Sequence, residues 1–212
     1  MLDVACGDDR ISRALVKKGH QVFGVDNNPQ ALSAAYSHGL ICRQADIESA
    51  MPVADGFFDV ILVLDILEHL KDPKLLLARL VNKLKPDGQI IIAIPNHFDL
   101  RNRLRILRGQ GIIHWAHRRF SDTRAWNYPH IRFFRQKELA ELLAGVGLFI
   151  NCRQYNFMAG GLIPRRLTPP FVRRALLKLW PDLLSGKFVI LCSCQRPVAA
   201  KSIWLSQTPK EF

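Results

Sequence analysis

Two runs of apolar residues constrain the fold of this chain more than any other feature. They read FFDVILVL at 57–64 and QIIIAI at 89–94, and the stretch 73–84 between them carries apolar residues at helical spacing. Runs that are apolar on both faces are typical of central parallel strands, because helices cover both faces of a parallel sheet. The pattern therefore predicts an α/β fold with a doubly wound parallel sheet.

Shorter segments of the same kind precede these runs. Asn28 followed by Pro29 is typical of a helix start, and a Pro86-Asp87-Gly88 turn should end the helix at 73–84. The first strand is short for such a sheet, so we expect either a truncated strand or missing residues before it. The pattern predicts strands at 2–5, 21–25 and 40–44 and helices at 11–18 and 29–36.

The second half of the chain is less regular. Its pattern predicts a helix at 136–144, a strand within 146–155, a basic amphipathic stretch at 171–179 and a last strand at 187–194. We therefore predict one domain over residues 1–195, with basic insertions around 97–130 and 156–186. The residues 196–212 are predicted to form a flexible tail.

Charge is divided unevenly along the chain. Residues 1–100 carry 10 basic and 13 acidic side chains, whereas residues 101–212 carry 20 basic and 5 acidic ones. The surplus of basic side chains in the second half suits an anionic partner.

No apolar run approaches the ~18–20 residues that cross a bilayer. The five cysteines are scattered without a CxxC pair, so we predict a reduced, cytoplasmic protein.

The first strand leads into the turn of LDVACGDDRIS, where dinucleotide-binding enzymes carry G-x-G-x-x-G. That pattern is absent, and Asp3, Asp8 and Asp9 crowd the turn. Carboxylates oppose a phosphate at a helix N-terminus but attract a cationic amine. Gly7 allows a close approach of the backbone to a ligand. Asp8 or Asp9 could instead cap the helix.

Two acidic residues follow the second and third predicted strands. Asp26 stands 19 positions after Gly7, which matches the spacing of about 20 residues for an acid that binds ribose hydroxyls. A structural role is less favoured, because Asn28 is the better cap. Asp46 could accept a hydrogen bond from an adenine amine with Ile47 against the ring, or could be a solvated turn residue.

The order of several blocks resembles the class I S-adenosylmethionine-dependent methyltransferases of the type 11/23 group. These blocks are LDVACG, VFGVDNNP, ADIESAMPVADGFFDVILVLDILEHLKDP, LKPDGQIIIAIPN and PHIRFF, within residues 2–155. The second half is loosely similar to homologues of the methionine-biosynthesis protein W. The resemblance implies a Rossmann-like sheet of seven strands in the order 3-2-1-4-5-7-6, with the seventh antiparallel, and S-adenosylmethionine as the cofactor.

The resemblance also implies roles for individual residues. The usual G-C-G-x-G of the family carries Ala5 and Asp9 here in place of its outer glycines. Asp65, at the end of the fourth strand, would line the methyl-donor side of the cleft. The other cofactor-binding residues would be Asp3, Ala5 and Gly7 for the methionine moiety, Asp26 for the ribose, Asp46 and Ile47 for the adenine, and Asn27 without an assigned moiety.

Glu68 and His69 are the candidate catalytic residues, because a hydroxyl acceptor needs a base near the donor methyl. His69 is the better base, since imidazole changes charge near neutral pH. The pair could instead cap and pack a helix. The sequence identifies no third ligand beside it, so we predict no metal site.

His130 and Arg132, by family analogy, would line the acceptor pocket. The alternative is that the neighbouring phenylalanines anchor a lid while this polar pair caps the next helix. The aromatic side chains of Trp115 and Tyr128 could wall the same pocket or simply hold the loop down.

Nine arginines and a single acid lie within residues 101–135. Arginine suggests planar recognition of a carboxylate or phosphate. We rank an anionic small-molecule or lipid- or glycan-linked acceptor first, with an anionic membrane surface as a further partner, a solvated face second and RNA third. We therefore predict a methyltransferase. The alternative is a non-catalytic module that regulates a partner enzyme.

Overall fold

The computed structural model describes residues 1–7, 11–110, 129–157 and 168–194. The strands are β1 Leu2–Val4, β2 Phe23–Asp26, β3 Ile41–Gln44, β4 Phe58–Leu64, β5 Leu84–Pro95, β6 Phe149–Phe157 and β7 Ser185–Ser193. The helices are α1 Ser12–Lys17, α2 Pro29–Ser37, α3 Pro73–Lys83, α4 Leu100–Leu107, α5 Gln136–Ala144, α6 Pro170–Leu179 and α7 Pro181–Leu184.

The strands form one sheet in the order β3-β2-β1-β4-β5-β7-β6. The first five strands pair in parallel, and β7 runs antiparallel to both of its neighbours. This confirms the predicted strand order. β1 pairs with β2 on one side and with β4 on the other, so the chain changes direction across the sheet at β1. In open parallel sheets, ligands bind at the carboxyl ends of the strands beside such a point.

The two apolar runs form the centre of the main hydrophobic core. Ile61 and Val63 of β4 and Ile90 and Ile92 of β5 are fully buried, as expected for strands covered on both faces. Leucines of α3 and α5 pack against the same core: Leu76, Leu77, Leu80, Leu139 and Leu143.

Side-chain caps fix where three helices begin. Asn28 accepts hydrogen bonds from the backbone N–H groups of Gln30 and Ala31, which confirms the predicted start of α2. Asp72 caps α3 and Asp99 caps α4 in the same way. Helix α4 was not predicted, because its sequence, LRNRLRIL, was interpreted only as part of a basic segment.

The predicted turn at 86–88 is wrong in detail. These residues belong to β5, where the register against β4 shifts between Phe58 and Val60. Opposite this shift, β5 contributes extra residues and forms a bulge. A Cβ on Gly88 would lie 2.8 Å from the carbonyl oxygen of Phe58, so only glycine lets the two strands approach this closely.

Two further observations concern the cysteines and the lengths of the helices. All five cysteines carry free thiols, and burial raises the pKa of Cys6 and of Cys192 to about 12. Within the described ranges, no helix combines the length and hydropathy that crossing a bilayer requires.

The backbone turns sharply where β1 and β4 end. Ala5 has a φ of 57° and Asp65 a φ of 53°, a left-handed conformation that residues other than glycine adopt at a cost. Because β1 and β4 are neighbours, the two positions lie at the same edge of the sheet. Strained conformations of this kind cluster at functional sites.

We expect Ala5→Gly to raise the free energy of unfolding by up to about 1 kcal/mol, because it removes the Cβ that makes this conformation costly. Ala34→Gly, at an exposed position inside α2, is the matched control and should lower it by about 1 kcal/mol. Urea denaturation of both variants measures the difference. Equal destabilisation by the two substitutions would contradict the assignment of strain to Ala5.

Candidate active site

The turn after β1 is tied to the end of β2 by one hydrogen bond. The backbone N–H of Gly7 donates to Oδ2 of Asp26 at 2.8 Å. Gly7 has a φ of 50°, and a Cβ built on it would meet no atom of the described residues within 4 Å. Its conformation therefore explains the glycine, and no described residue fills the space beside it.

Asp26 is nearly buried at the end of β2, and both of its oxygens are engaged. Oδ2 accepts from Gly7, and Oδ1 accepts from the N–H of Asn28 at 2.9 Å. Each carboxylate oxygen keeps a second lone pair for a hydroxyl donor. The neighbouring Asn27 is exposed, and its carbonyl accepts from the Gln44 side chain at 3.2 Å.

Asp3 has a structural partner. Its Oδ2 accepts a hydrogen bond from the Ser12 hydroxyl at 2.5 Å, so this buried carboxylate ties β1 to α1. Asp8 and Asp9 lie outside the described residues.

Asp46 organises the turn that follows β3. Its carboxylate accepts from the Ser49 hydroxyl at 2.8 Å and from the N–H of Glu48 at 3.0 Å, and these bonds lower the pKa of Asp46. Ile47 is buried in the main core. The turn-forming role that the sequence left open for Asp46 is therefore present, and its contact with adenine stays a prediction.

Asp65 forms an ion pair that the sequence did not predict. The Nζ atom of Lys187, on β7, lies 2.5 Å from Oδ2 of Asp65. The two residues are 122 positions apart, so no local motif could reveal the pair. The Lys187 ammonium and the Asp65 carboxylate thus offset each other's charge at the end of β4.

Glu68 lies in a 3₁₀ turn, Leu67–His69, just after β4. Its side chain is 1% exposed, and neither carboxylate oxygen has a hydrogen-bond partner among the described residues. Burial, with the negative charge of Asp65 adding to it, raises the pKa of Glu68 to about 7. Glu68 is therefore not a cap, and the capping alternative is wrong for this residue.

His69 lies beside Glu68, and His130 packs against His69. Nε2 of His69 lies 4.0 Å from Oε1 of Glu68, and the rings of His69 and His130 meet edge to face at 4.6 Å. Nδ1 of His69 lies 3.0 Å from the carbonyl oxygen of Pro129. A carbonyl only accepts, so we assign the proton to Nδ1, which leaves Nε2 of neutral His69 as an acceptor.

His97 extends this cluster into the interior. Its Nε2 lies 2.7 Å from Nδ1 of His130, and its ring also meets Phe133 edge to face. Burial lowers the pKa of His97 to about 4, so this ring is neutral at physiological pH. The sequence analysis missed His97, because a histidine after Pro95-Asn96 carries no local signal of its partner.

Glu68, His69 and His130 also have the geometry of a cation site. One ligand-type atom from each residue lies within 4.8 Å of the other two. His130 is thus the third residue that such a site would need and that the sequence did not identify; the same three side chains also suit proton transfer, and the absence of a metal site stays a prediction.

The segment that carries His130 is docked on the 3₁₀ turn. The N–H groups of Ile131 and Arg132 both donate to the carbonyl oxygen of Glu68, at 2.8 and 3.1 Å. The Arg132 guanidinium donates to the carbonyl of Lys71. Arg135 is the N-cap residue of α5, and its backbone N–H donates to the Glu138 carboxylate at 3.1 Å, so the capping alternative for His130 and Arg132 is wrong. Trp115 and Tyr128 lie outside the described residues.

Comparisons with known proteins agree with this architecture. A family model described as a methyltransferase domain matches residues 2–92. A SAM-dependent methyltransferase from Methanosarcina mazei has a similar fold, with a TM-score of 0.61 and 20% identity, covering 92% of each chain. A SAM-dependent methyltransferase from Archaeoglobus fulgidus has a TM-score of 0.60 and 19% identity, covering 90% of this chain and 84% of that one.

Two relatives are named ubiquinone biosynthesis O-methyltransferase. The protein from Idiomarina loihiensis is 31% identical over 175 residues, which is 78% of this chain and 69% of the relative. The protein from Marinobacter nauticus is 28% identical over 158 residues, which is 71% of this chain and 63% of the relative. By this similarity, and with the predicted strand order present, the chain belongs to the class I S-adenosylmethionine-dependent methyltransferases, with S-adenosylmethionine as its cofactor.

Proposed function

We propose that this protein transfers a methyl group from S-adenosylmethionine to a hydroxyl oxygen of a small, anionic acceptor. The observation that carries the proposal is the buried carboxylate of Glu68, which has a pKa of about 7 and lies 4.0 Å from the His69 imidazole. The name of the two relatives, which are O-methyltransferases, supports it.

The residues at the strand ends fit the cofactor. Asp26 would bind the ribose with Asn27 beside it, and the space next to Gly7 would take the methionine moiety near Asp3 and Ala5. Asp46 and Ile47 would lie near the adenine, and Asp65 near the donor methyl. When bound, S-adenosylmethionine supplies an electrophilic methyl group on a sulfonium.

A hydroxyl is a poor nucleophile until its proton is removed. Nε2 of neutral His69 can accept that proton, because the Pro129 carbonyl holds the other ring nitrogen protonated. Glu68 faces this nitrogen and stabilises the imidazolium once its own proton has left. A carboxyl with a pKa of about 7 exchanges protons readily near neutral pH, so the pair suits general base catalysis.

The charge of the second half supports an anionic acceptor. Arg132 lies on the segment docked beside Glu68. Helix α4, which follows β5, carries Arg101, Arg103 and Arg105 and no acid. A lipid- or glycan-linked acceptor and a free small molecule share this chemistry, whereas RNA and a purely regulatory role remain the lesser candidates.

An acceptor panel with labelled S-adenosylmethionine tests the proposal. Catechol, a carboxylated catechol, an aryl amine and an RNA oligonucleotide are the probes, and mass spectrometry locates the methyl group. We expect methylation at oxygen, with the carboxylated catechol preferred. Methylation of the amine or RNA alone would overturn the proposal. Calorimetric binding of cofactor without turnover of any acceptor would favour the regulatory alternative.

We expect Glu68→Gln to lower kcat by about 100-fold or more, because it removes the partner of the catalytic base. Glu141→Gln, at an exposed position of α5, is the matched control and should leave the rate unchanged. Rates of both variants on the acceptor that the panel identifies give the comparison. A normal rate for Glu68→Gln would exclude a catalytic role for the carboxyl.

The same substitution should change the pH dependence of stability. The pKa of Glu68 is about 7 in the folded protein and near 4.5 when unfolded, so this carboxyl costs stability as pH rises through that window. Glu68→Gln should therefore match the parent at pH ~4 and exceed it by up to about 3 kcal/mol at pH ~8. Urea denaturation at the two pH values measures the effect, and a pH-independent difference would contradict it.

The ribose role of Asp26 has its own test. Asp26→Ala should weaken binding of S-adenosylmethionine by about 1.5–3 kcal/mol, the range for a hydrogen bond to a charged group. Asp26→Asn keeps an acceptor oxygen and should lose less. Isothermal titration calorimetry measures both affinities, with circular dichroism as the check on folding. Unchanged affinity of a folded Asp26→Ala protein would refute the assignment.

A further inference from the structure

Helix α6 exposes large apolar side chains that no described part of the chain covers. Phe171 is 72% exposed, Leu179 is 66% exposed, and Trp180, which directly follows the helix, is 54% exposed. No residue of α6 is fully buried. Single exposed apolar residues are ordinary, but two on one short helix and a third directly after it indicate a binding surface.

The helix has two apolar faces. Leu176 and Leu177 face inward and pack with Phe157 and Leu184 in a small cluster separate from the main core. Phe171, Ala175 and Leu179 repeat every four residues and line up on the opposite, exposed side. The inner face alone accounts for the attachment of α6 to the protein, so the apolar residues of the outer face are not needed for that attachment.

Cations flank the outer face. Arg174 and Lys178 are exposed between its apolar residues, and neither α6 nor Trp180 contributes an acid. Helix α4 has the same character, because Leu107 is 82% exposed, Arg103 and Arg108 are exposed, and its Leu100 packs on the small cluster that holds α6. Two basic helices with uncovered apolar side chains therefore share one support.

We propose that the outer face of α6, formed by Phe171, Arg174, Ala175, Lys178 and Leu179, binds the surface of an anionic lipid bilayer together with the exposed Trp180 that follows the helix. Aromatic and aliphatic side chains enter the headgroup region, while arginine and lysine pair with lipid phosphates. A protein partner would need an apolar groove rimmed with acids to match this projecting helix. An anionic bilayer presents both chemistries at any point of its surface.

The placement of α4 relates this surface to the active site. Asp99, which caps α4, follows His97 by two positions, and His97 contacts His130 of the catalytic cluster. Helix α4 therefore connects the cluster that supports α6 with the chain segment that carries His97. The binding itself needs neither cofactor nor acceptor, so its test is independent of the proposed reaction.

Vesicle sedimentation tests the apolar part of the surface. Vesicles of phosphatidylcholine alone and of phosphatidylcholine mixed with phosphatidylglycerol are the probes. The triple variant Phe171→Ser, Leu179→Ser, Trp180→Ser should reduce binding to the mixed vesicles by about tenfold or more. The matched control is Tyr36→Ser with Leu75→Ser, two exposed residues on α2 and α3, which should bind as the parent does.

A charge-matched pair of variants tests the electrostatic part. Arg174→Glu with Lys178→Glu should cut binding to the mixed vesicles by about tenfold or more. Lys17→Glu with Lys18→Glu changes the net charge equally at the exposed end of α1 and should have a much smaller effect. Circular dichroism and calorimetric cofactor binding verify that each variant folds.

Three outcomes would overturn the proposal. These are failure of the folded parent to sediment with the mixed vesicles, equal loss in the α1 and α6 charge variants, and unchanged binding of the triple serine variant. The second would mean that net charge alone drives binding. A folded parent that ignores vesicles but self-associates through Phe171 would assign the face to a protein contact instead.

Discussion

The hydrogen bond from the Gly7 N–H to the Asp26 carboxylate joins the ends of β1 and β2, and the geometry of the crevice depends on it. It spans the point where the sheet changes direction, so it holds open the space that a nucleoside donor would enter. The left-handed conformations of Ala5 and Asp65 lie at the same edge. Rigid strands beneath them, buried on both faces, prevent these turns from relaxing into cheaper conformations.

Burial shifts the pKa values of Glu68 and His97, which follow β4 and β5. Glu68 sits in the 3₁₀ turn after β4, where loss of water raises the pKa of its carboxyl, and the docked 130–132 segment closes over its backbone. The same burial lowers the pKa of His97. A carboxyl whose pKa is raised to about 7 and an imidazole whose pKa is lowered to about 4 therefore lie at opposite ends of one cluster, with His69 and His130 between them.

The two halves of the chain supply different parts of the structure. The near-neutral first half supplies the strands β1 to β5 and every residue assigned to the cofactor. The basic second half supplies His130, Lys187 and the helices α4 and α6, which are attached through a small cluster of their own. Such a division would allow acceptor preferences to differ among proteins that share one cofactor fold.

The amino-acid sequence by itself determined the alternation of strands and helices, the cap at Asn28 and the helix at 136–144, because these depend on hydrophobic periodicity and local hydrogen bonds. Resemblance of ordered blocks added the strand order and the cofactor. The bulge in β5, the pairing of Lys187 with Asp65 and the contact of His97 with His130 emerged only in the tertiary structure. These contacts join residues far apart in the chain, and burial, which local sequence does not encode, sets the pKa of Glu68.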